Sequence, residues 1–310
     1  MTYKVFIDGR EGTTGLQLEQ RLSGRDDITL LQIEADLRKD TLRREQLINE
    51  AEVVFLCLPD EAALEAVALC HSPRTILIDA STAHRVSKDW TYGLPELSPN
   101  HRQAIARSKR IANPGCYATG ANCILYPLTT LNILPLDYPV TIHAVSGYSG
   151  GGKKLIAAYE SANRPPGYLY PCQYALGLAH KHLPEMQNIS GLLRPPIFNP
   201  LVCDFYAGME VSIPLYADLL KGKPGKKAVL EVLTEYYAGQ RFVTVAEQAE
   251  EGRISAGEHI GDNYLTLYVC GNDRQMTLVS VLDNLGKGAS GAAVQNMNIA
   301  LGLDESVSLD

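Results

Sequence analysis

Tyr3-Lys4-Val5-Phe6-Ile7-Asp8-Gly9-Arg10-Glu11-Gly12-Thr13-Thr14-Gly15 is the stretch that decides the fold. Its first six residues form an apolar run closed by an acid, the pattern of a strand buried on both faces. Glycine then recurs at every third position, and a helical pattern begins at Thr13 and reaches Leu22. The same alternation continues outward. Residues 28–34, 53–58 and 75–79 read as further strands, and residues 41–49 and 61–70 as helices. Continuous apolar strands separated by helices predict a parallel sheet with right-handed crossovers.

Beyond residue 136 the pattern changes. Residues 140–146, Met209–Tyr216, 264–270 and Gln275–Leu282 alternate apolar and polar positions more often. Gly271-Asn272-Asp273-Arg274 is a turn signal between the last two. This predicts a mixed or antiparallel sheet in a second domain. Residues 289–301 carry Ala, Val, Met and Ile at helical spacing and read as a helix returning to the first domain. No internal repeat or low-complexity segment interrupts the chain. The fold class is therefore α/β, a parallel-sheet domain joined to an α+β domain.

Length and charge narrow the function. The chain has 310 residues, with 45% hydrophobic and 20% charged residues, as in ordinary soluble globular proteins of about two domains. No apolar run approaches the ~20 residues of a membrane helix. No basic segment precedes a long apolar stretch at the start, so a signal peptide is not expected and the cytoplasm is the default location. A net charge of −7 argues against nucleic acid or an anionic membrane as partner. The seven cysteines show no C-x-x-C pair, so no metal site is expected.

The spacing of Gly9, Gly12 and Gly15, between strand and helix, is a relative of the dinucleotide fingerprint. Glycines let the backbone approach a pyrophosphate, and the helix start offers N–H groups to it. Thr13 and Thr14 can add hydroxyl donors. Glu34, at the end of the second strand, suits a ribose diol, whereas Arg38 and Lys39 suit a 2′-phosphate or a solvated loop.

Asn113-Pro114-Gly115-Cys116-Tyr117-Ala118-Thr119 is the most informative later stretch. Asn113 is expected to cap a helix, with Pro114 at its first position and the helical pattern running to Leu125. Cys116 then sits in the first turn, where the helix dipole favours a thiolate and free N–H groups can hold an oxyanion. Cys123, two turns deeper, reads as an inert core thiol. His180-Lys181-His182-Leu183-Pro184-Glu185 offers two candidate bases and a carboxylate to orient one of them. Ser146-Gly147-Tyr148-Ser149-Gly150-Gly151-Gly152-Lys153-Lys154 ends a strand in a glycine loop with two lysines, which suits a phosphate.

Taken in order, these motifs resemble one family over nearly the whole chain. The resemblance adds Asp79-Ala80-Ser81-Thr82-Ala83-His84-Arg85, Gly93-Leu94-Pro95-Glu96-Leu97 and Asp283-Asn284-Leu285-Gly286-Lys287-Gly288-Ala289-Ser290-Gly291. The family is N-acetyl-gamma-glutamyl-phosphate reductase of arginine biosynthesis, in its shorter form. It implies a Rossmann-type domain, placed at residues 1–116 with 286–310, and an inserted catalytic and oligomerisation domain at 117–285. It implies NADPH and an acyl phosphate substrate, with Cys116 as nucleophile. His182 looks like the acid–base group, oriented by Glu185, with His180 as the fallback and Ser146 near the acyl group. Ser81, Arg85, Asn284, Lys287 and Gly288 join the glycine turn and Arg38 as expected cofactor contacts. Asn113, Ser149, Gly150 and Lys153 are the expected substrate contacts. A homodimer or homotetramer is implied. Two related activities share the chemistry: aspartate-semialdehyde dehydrogenase, and a lysine-pathway reductase of a longer N-blocked acyl phosphate. A non-catalytic NADP-sensing regulator would explain the glycine turn but not Cys116 with its histidines.

Overall fold

The computed structural model describes residues 2–246 and 252–309. It divides into two compact units, Met1–Pro114 with Ala289–Asp310, and Gly115–Gly288. Cys116, expected at the end of the first domain, lies in the second unit, which begins at Gly115.

The first unit runs β1 (Tyr3–Asp8), α1 (Thr13–Leu22), β2 (Ile28–Leu31), α2 (Thr41–Glu50), β3 (Val53–Leu56), α3 (Asp60–Ala68), β4 (Ile76–Asp79), β5 (Thr91–Tyr92), α4 (Pro99–Arg107) and β6 (Arg110–Ala112). All six strands are parallel, in the order β2-β1-β3-β4-β6-β5. The apolar runs read from the sequence are the central strands. Val5, Val53, Val54, Leu56, Leu77 and Ile78 have no solvent exposure. Phe6, Val54, Leu56 and Leu77 pack with Leu47 and Ile48 of α2. The strand order reverses at β1, which lies between β2 and β3. That reversal opens a crevice at the carboxyl ends of the strands, where Gly9 follows β1. Two strands were not predicted. β5 and β6 have two and three residues, too few to display a period.

The second unit is one continuous run. It contains α5 (Cys116–Thr130), β7 (Thr141–Gly147), α6 (Gly152–Glu160), β8 (Cys172–Gln173), α7 (Leu183–Ser190), β9 (Ile197–Cys203), β10 (Met209–Tyr216), α8 (Lys226–Tyr236), β11 (Val243–Ala246), β12 (Leu265–Gly271) and β13 (Gln275–Leu282). Its seven-stranded sheet has the order β11-β12-β13-β10-β7-β9-β8 and is mixed. The β7–β9 and β11–β12 pairs are parallel and the others antiparallel. The predicted β12–β13 hairpin forms, with Asn272 N–H donating to Gln275 O across the turn at 2.8 Å.

Period two in β10 sorts its side chains. Met209, Val211, Ile213 and Leu215 are buried, whereas Pro214 and Tyr216 face solvent. α5 packs on β10 and β13. Close approach depends on Gly120, where a Cβ would lie 2.6 Å from Ser280 Oγ. The opposite face of the sheet is open at β7 and β9, where His143 and Ile197 are exposed. Pro127 lies inside α5 and supplies no N–H to the carbonyl four residues back. That carbonyl, of Cys123, accepts from the Tyr237 hydroxyl at 2.8 Å.

The chain re-enters the first unit through α9 (Gly291–Ala300), after a wide turn in which Gly288 N–H donates to Asp283 O at 2.9 Å. α9 carries buried amides. Gln295 donates to Glu96 and Glu305, and Asn296 to Gly93 O and to Asn113 Oδ1. Among the described residues no helix is long and apolar enough to cross a membrane.

Candidate active site

The glycine turn is built for a close ligand. Gly9 has φ +84°, and a Cβ there would lie 2.3 Å from Cys57 O. A Cβ on Gly15 would lie 2.7 Å from Gly9 O and from the Arg10 backbone. Gly12 occupies the cap position of α1, and no side chain caps the helix. The buried Oγ1 of Thr13 has no hydrogen-bond partner among the described residues. Bare N–H groups at a helix start and an unsatisfied hydroxyl beside them fit a pyrophosphate.

The acids and arginines around the turn are sorted in a way the sequence did not reveal. Glu34 is gripped by two of the three guanidinium nitrogens of Arg43, Nε and Nη2, at 2.9 and 3.0 Å. The Arg43 bond holds the Glu34 carboxyl below its ordinary value. Arg38 pairs with Glu11 at 3.2 Å. Arg10 reaches from the turn to Gln32, the residue after β2, and its Nε pairs with Glu19 at 3.1 Å. Neither Arg10 nor Arg43 was singled out, because isolated arginines near a loop read as solvated charge.

Ser81 and Arg85 hold the loop after β4. The buried Asp79 carboxylate accepts from Ser81 Oγ at 2.7 Å and bonds His84 Nδ1 at 2.6 Å. His84 stacks on Trp90 with ring centroids 4.1 Å apart. Arg85 donates to Asn113 O and Ala80 O. Asn113 does not cap the next helix. Its amide donates to Ala289 O at 3.0 Å and accepts from Asn296. The cap falls instead at Gly115, so Cys116 rather than Pro114 is the first residue of α5, and the helix extends to Thr130.

In the second unit Cys116 is half-buried. A Cβ on Gly288 would lie 2.8 Å from Cys116 Cβ, so only glycine allows this approach. Glu185, in the first turn of α7, accepts from Gly115 N–H at 2.9 Å. The carboxylate that was expected to orient a histidine fixes the backbone before the cysteine. His182 is the cap residue of α7 and is buried. Its N–H donates to His180 Nδ1 at 3.1 Å. His180 therefore keeps its proton on Nε2 when neutral. Burial, with the Lys181 charge nearby, lowers its pKa to about 4.

Tyr117 joins these groups. Its ring packs edge-on against His180, His182 and Phe198, with centroids 5.8, 5.9 and 5.1 Å away. Its hydroxyl accepts from Tyr174 Oη at 3.0 Å and hydrogen-bonds Ser146. Cys116, both histidines, Glu185 and Ser146 are thus gathered on a few elements of one unit. Tyr117 follows the cysteine directly and was legible as a neighbour. Tyr174 carries no sequence signal.

The glycine loop after β7 is pinned. Asn284 Oδ1 accepts from Gly208 N–H at 2.8 Å, and its Nδ2 donates to Ser149 Oγ at 3.0 Å. Gly150 is exposed beside it, and a Cβ there would lie 3.6 Å from Ser146 Oγ. Lys153 lies exposed in the first turn of α6. Lys287 is fully buried, with Nζ 5.7 Å from the centre of the Phe242 ring.

Two family profiles match the chain. Residues 9–105 match "Semialdehyde dehydrogenase, NAD binding domain" and residues 116–284 match "Semialdehyde dehydrogenase, dimerisation domain". The N-acetyl-gamma-glutamyl-phosphate reductase of Trichormus variabilis is 47% identical, with 99% of each chain aligned. That of Brucella ovis is 50% identical over 97% of this chain and the whole of the relative. The chain belongs to the N-acetyl-gamma-glutamyl-phosphate reductase family. Among solved structures, aspartate semialdehyde dehydrogenase II of Vibrio cholerae superposes with a TM-score of 0.74 at 15% identity, over 97% of this chain and 99% of that one. At that identity it shows that this reductase family shares the fold of semialdehyde dehydrogenases.

Proposed function

We propose that the chain reduces N-acetyl-L-glutamyl 5-phosphate to N-acetyl-L-glutamate 5-semialdehyde and phosphate, with NADPH, in arginine biosynthesis. The observation that carries this reading is Cys116 at the first position of α5, with Gly288 against it. Tyr117, the next residue, packs on both histidines. The names of the relatives supply the substrate.

Bound reduced NADP supplies a hydride. The residues of the chain do the rest. The α5 dipole favours the Cys116 thiolate. Sγ attacks the acyl carbon, the C–O bond to phosphate breaks, and the leaving oxygen takes a proton held by His182. A thioester remains on Cys116. When hydride adds to its carbonyl carbon, N–H groups in the first turn of α5 stabilise the oxyanion. Collapse breaks the C–S bond, returns the electron pair to Sγ and frees the aldehyde. Splitting one reduction into two steps in this way lowers each barrier. His180, whose Nδ1 accepts from the His182 backbone N–H, serves as a donor through Nε2. Glu185 acts as a positioning residue, through Gly115 and the start of α7.

Gly9, Gly12, Thr13, Thr14 and Gly15 hold the pyrophosphate. Ser81, Arg85 and Asn113 support the cofactor unit through its backbone. Asn284 and Ser149 hold the loop that presents Gly150 and Lys153 to the substrate phosphate. Lys287 and Gly288 shape the turn against Cys116. The open sheet face at β7, β9 and β10 is where a second copy of the chain docks, in keeping with the dimerisation-domain match. We place the enzyme in the cytoplasm, where its acyl phosphate substrate would be made.

The test is phosphate-dependent oxidation of N-acetyl-glutamate 5-semialdehyde with NADP, using aspartate semialdehyde and NAD as controls. Activity with the N-acetyl substrate is expected. Activity with aspartate semialdehyde alone would reject the substrate and keep the chemistry. Nucleotide binding without any turnover would reject the catalytic reading.

A further inference from the structure

The distribution of partners at the end of β2 bears on how this chain selects its nucleotide, an inference that rests on the NADPH reading above. In a doubly wound sheet the adenosine ribose lies at the carboxyl end of β2, where an acid favours a free 2′,3′-diol and a cation favours a 2′-phosphate. Glu34 stands three residues beyond the end of β2. By position alone it would favour the diol.

We propose that Arg10 reads the 2′-phosphate of NADP, and that Arg43 permits this by occupying Glu34. Arg10 is the only arginine of the glycine turn, and it bridges the turn to Gln32 immediately after β2. Its Nε is held by Glu19 at 3.1 Å, which fixes the guanidinium, while the partner of its Nη1 is a neutral amide that can yield to a phosphate without breaking that ion pair. Arg38, the residue that the sequence suggested, would have to leave the Glu11 carboxylate instead. Arg43 is fixed in place on α2. Its N–H donates to the capping Asp40 at 2.8 Å and its third branch donates to Gln46 at 2.9 Å. Both Glu34 oxygens accept from the other two branches. This forked pair matches carboxylate geometry and offsets its charge. The acid is thereby withheld from the ribose and no longer repels a phosphate.

The test is calorimetric binding of NADPH and NADH to the full-length protein and its variants. Wild type is expected to bind NADPH about tenfold or more tighter than NADH, and Arg10→Gln to lose about tenfold for NADPH while NADH changes by less than about twofold. Arg38→Gln is expected to leave NADPH binding nearly unchanged. Arg43→Gln is expected to weaken NADPH and strengthen NADH, and adding Glu34→Gln to reverse both changes. An Arg10→Gln variant that loses both nucleotides equally, or neither, would overturn the assignment. So would a loss confined to Arg38→Gln. If wild type bound NADH as tightly as NADPH, or bound neither, the NADPH reading would fall and this inference with it.

Discussion

Among the seven cysteines, Cys116 alone begins a helix. Burial pushes the Cys57 thiol up to about 12, with Asp79 and Asp8 adding to the effect, and burial also raises Cys203 and Cys270. Cys116 is therefore expected to alkylate first near neutral pH, as peptide mapping after brief iodoacetamide treatment would reveal. Uniform labelling of all seven would reject an activated thiol. Cys116→Ser should still bind NADPH but lose about 10³-fold or more in turnover, because a hydroxyl lacks the thiolate's nucleophilicity. His180 makes a separate prediction. Its folded pKa of about 4 lies below the ordinary 6.5. Its contribution to stability is present above the ordinary value and is lost as pH falls toward the lower one, because the unfolded chain takes up the proton first. The urea midpoint should drop between pH 7 and pH 5 by less in His180→Gln than in wild type. Equal drops would show that the buried imidazole is not the cause. At this scale the sequence was a partial guide. Cys116 and the His180–Glu185 run were legible because each sits on a local pattern. The Glu34–Arg43 grip was not, because it joins a loop to the next helix through side-chain rotamers that no spacing records.

Elements were read well where a period was long enough to register. β1, β3 and β4 emerged as apolar runs, and β10 and β13 as alternating ones, with the expected bounds or within two residues of them. The start of α5 was misplaced by two residues. Asn113 has the right chemistry for a cap, but its amide bonds to residues 289 and 296, nearly two hundred positions away, and a local rule cannot see that competition. β9 escaped notice because Pro200 breaks its apolar pattern, although it pairs along its whole length with β7. α5 offers a test of packing at this level. Gly120→Ala should cost about 1–3 kcal/mol, since the added methyl meets Ser280 Oγ and Val211 on the sheet. A melting temperature unchanged from wild type would mean that α5 can lift from β10 and β13 without loss.

The whole molecule combines a parallel sheet, whose ligand crevice follows from strand order, with a mixed sheet that is open on one face at β7 and β9. That face motivates a prediction about assembly. Ile197 is 52% exposed in β9, and if the proposed second copy docks there, Ile197→Glu should convert the proposed dimer to a monomer in light-scattering measurements by placing a charge in the contact. An unchanged dimer mass would move the interface elsewhere. The switch from continuous to alternating strands beyond residue 136 made the change of architecture visible in the sequence. The pairing order of the second sheet was not visible, since seven strands of similar composition allow many orders. The return of α9 has one further consequence. The second unit is a single uninterrupted segment, whereas the first takes its last helix from near the far end of the chain. During synthesis the inserted unit leaves the ribosome whole while the nucleotide unit still lacks its final helix. Trp90, the sole tryptophan, belongs to that later-closing unit, so its emission should lag the folding of the inserted unit in any nascent-chain time course.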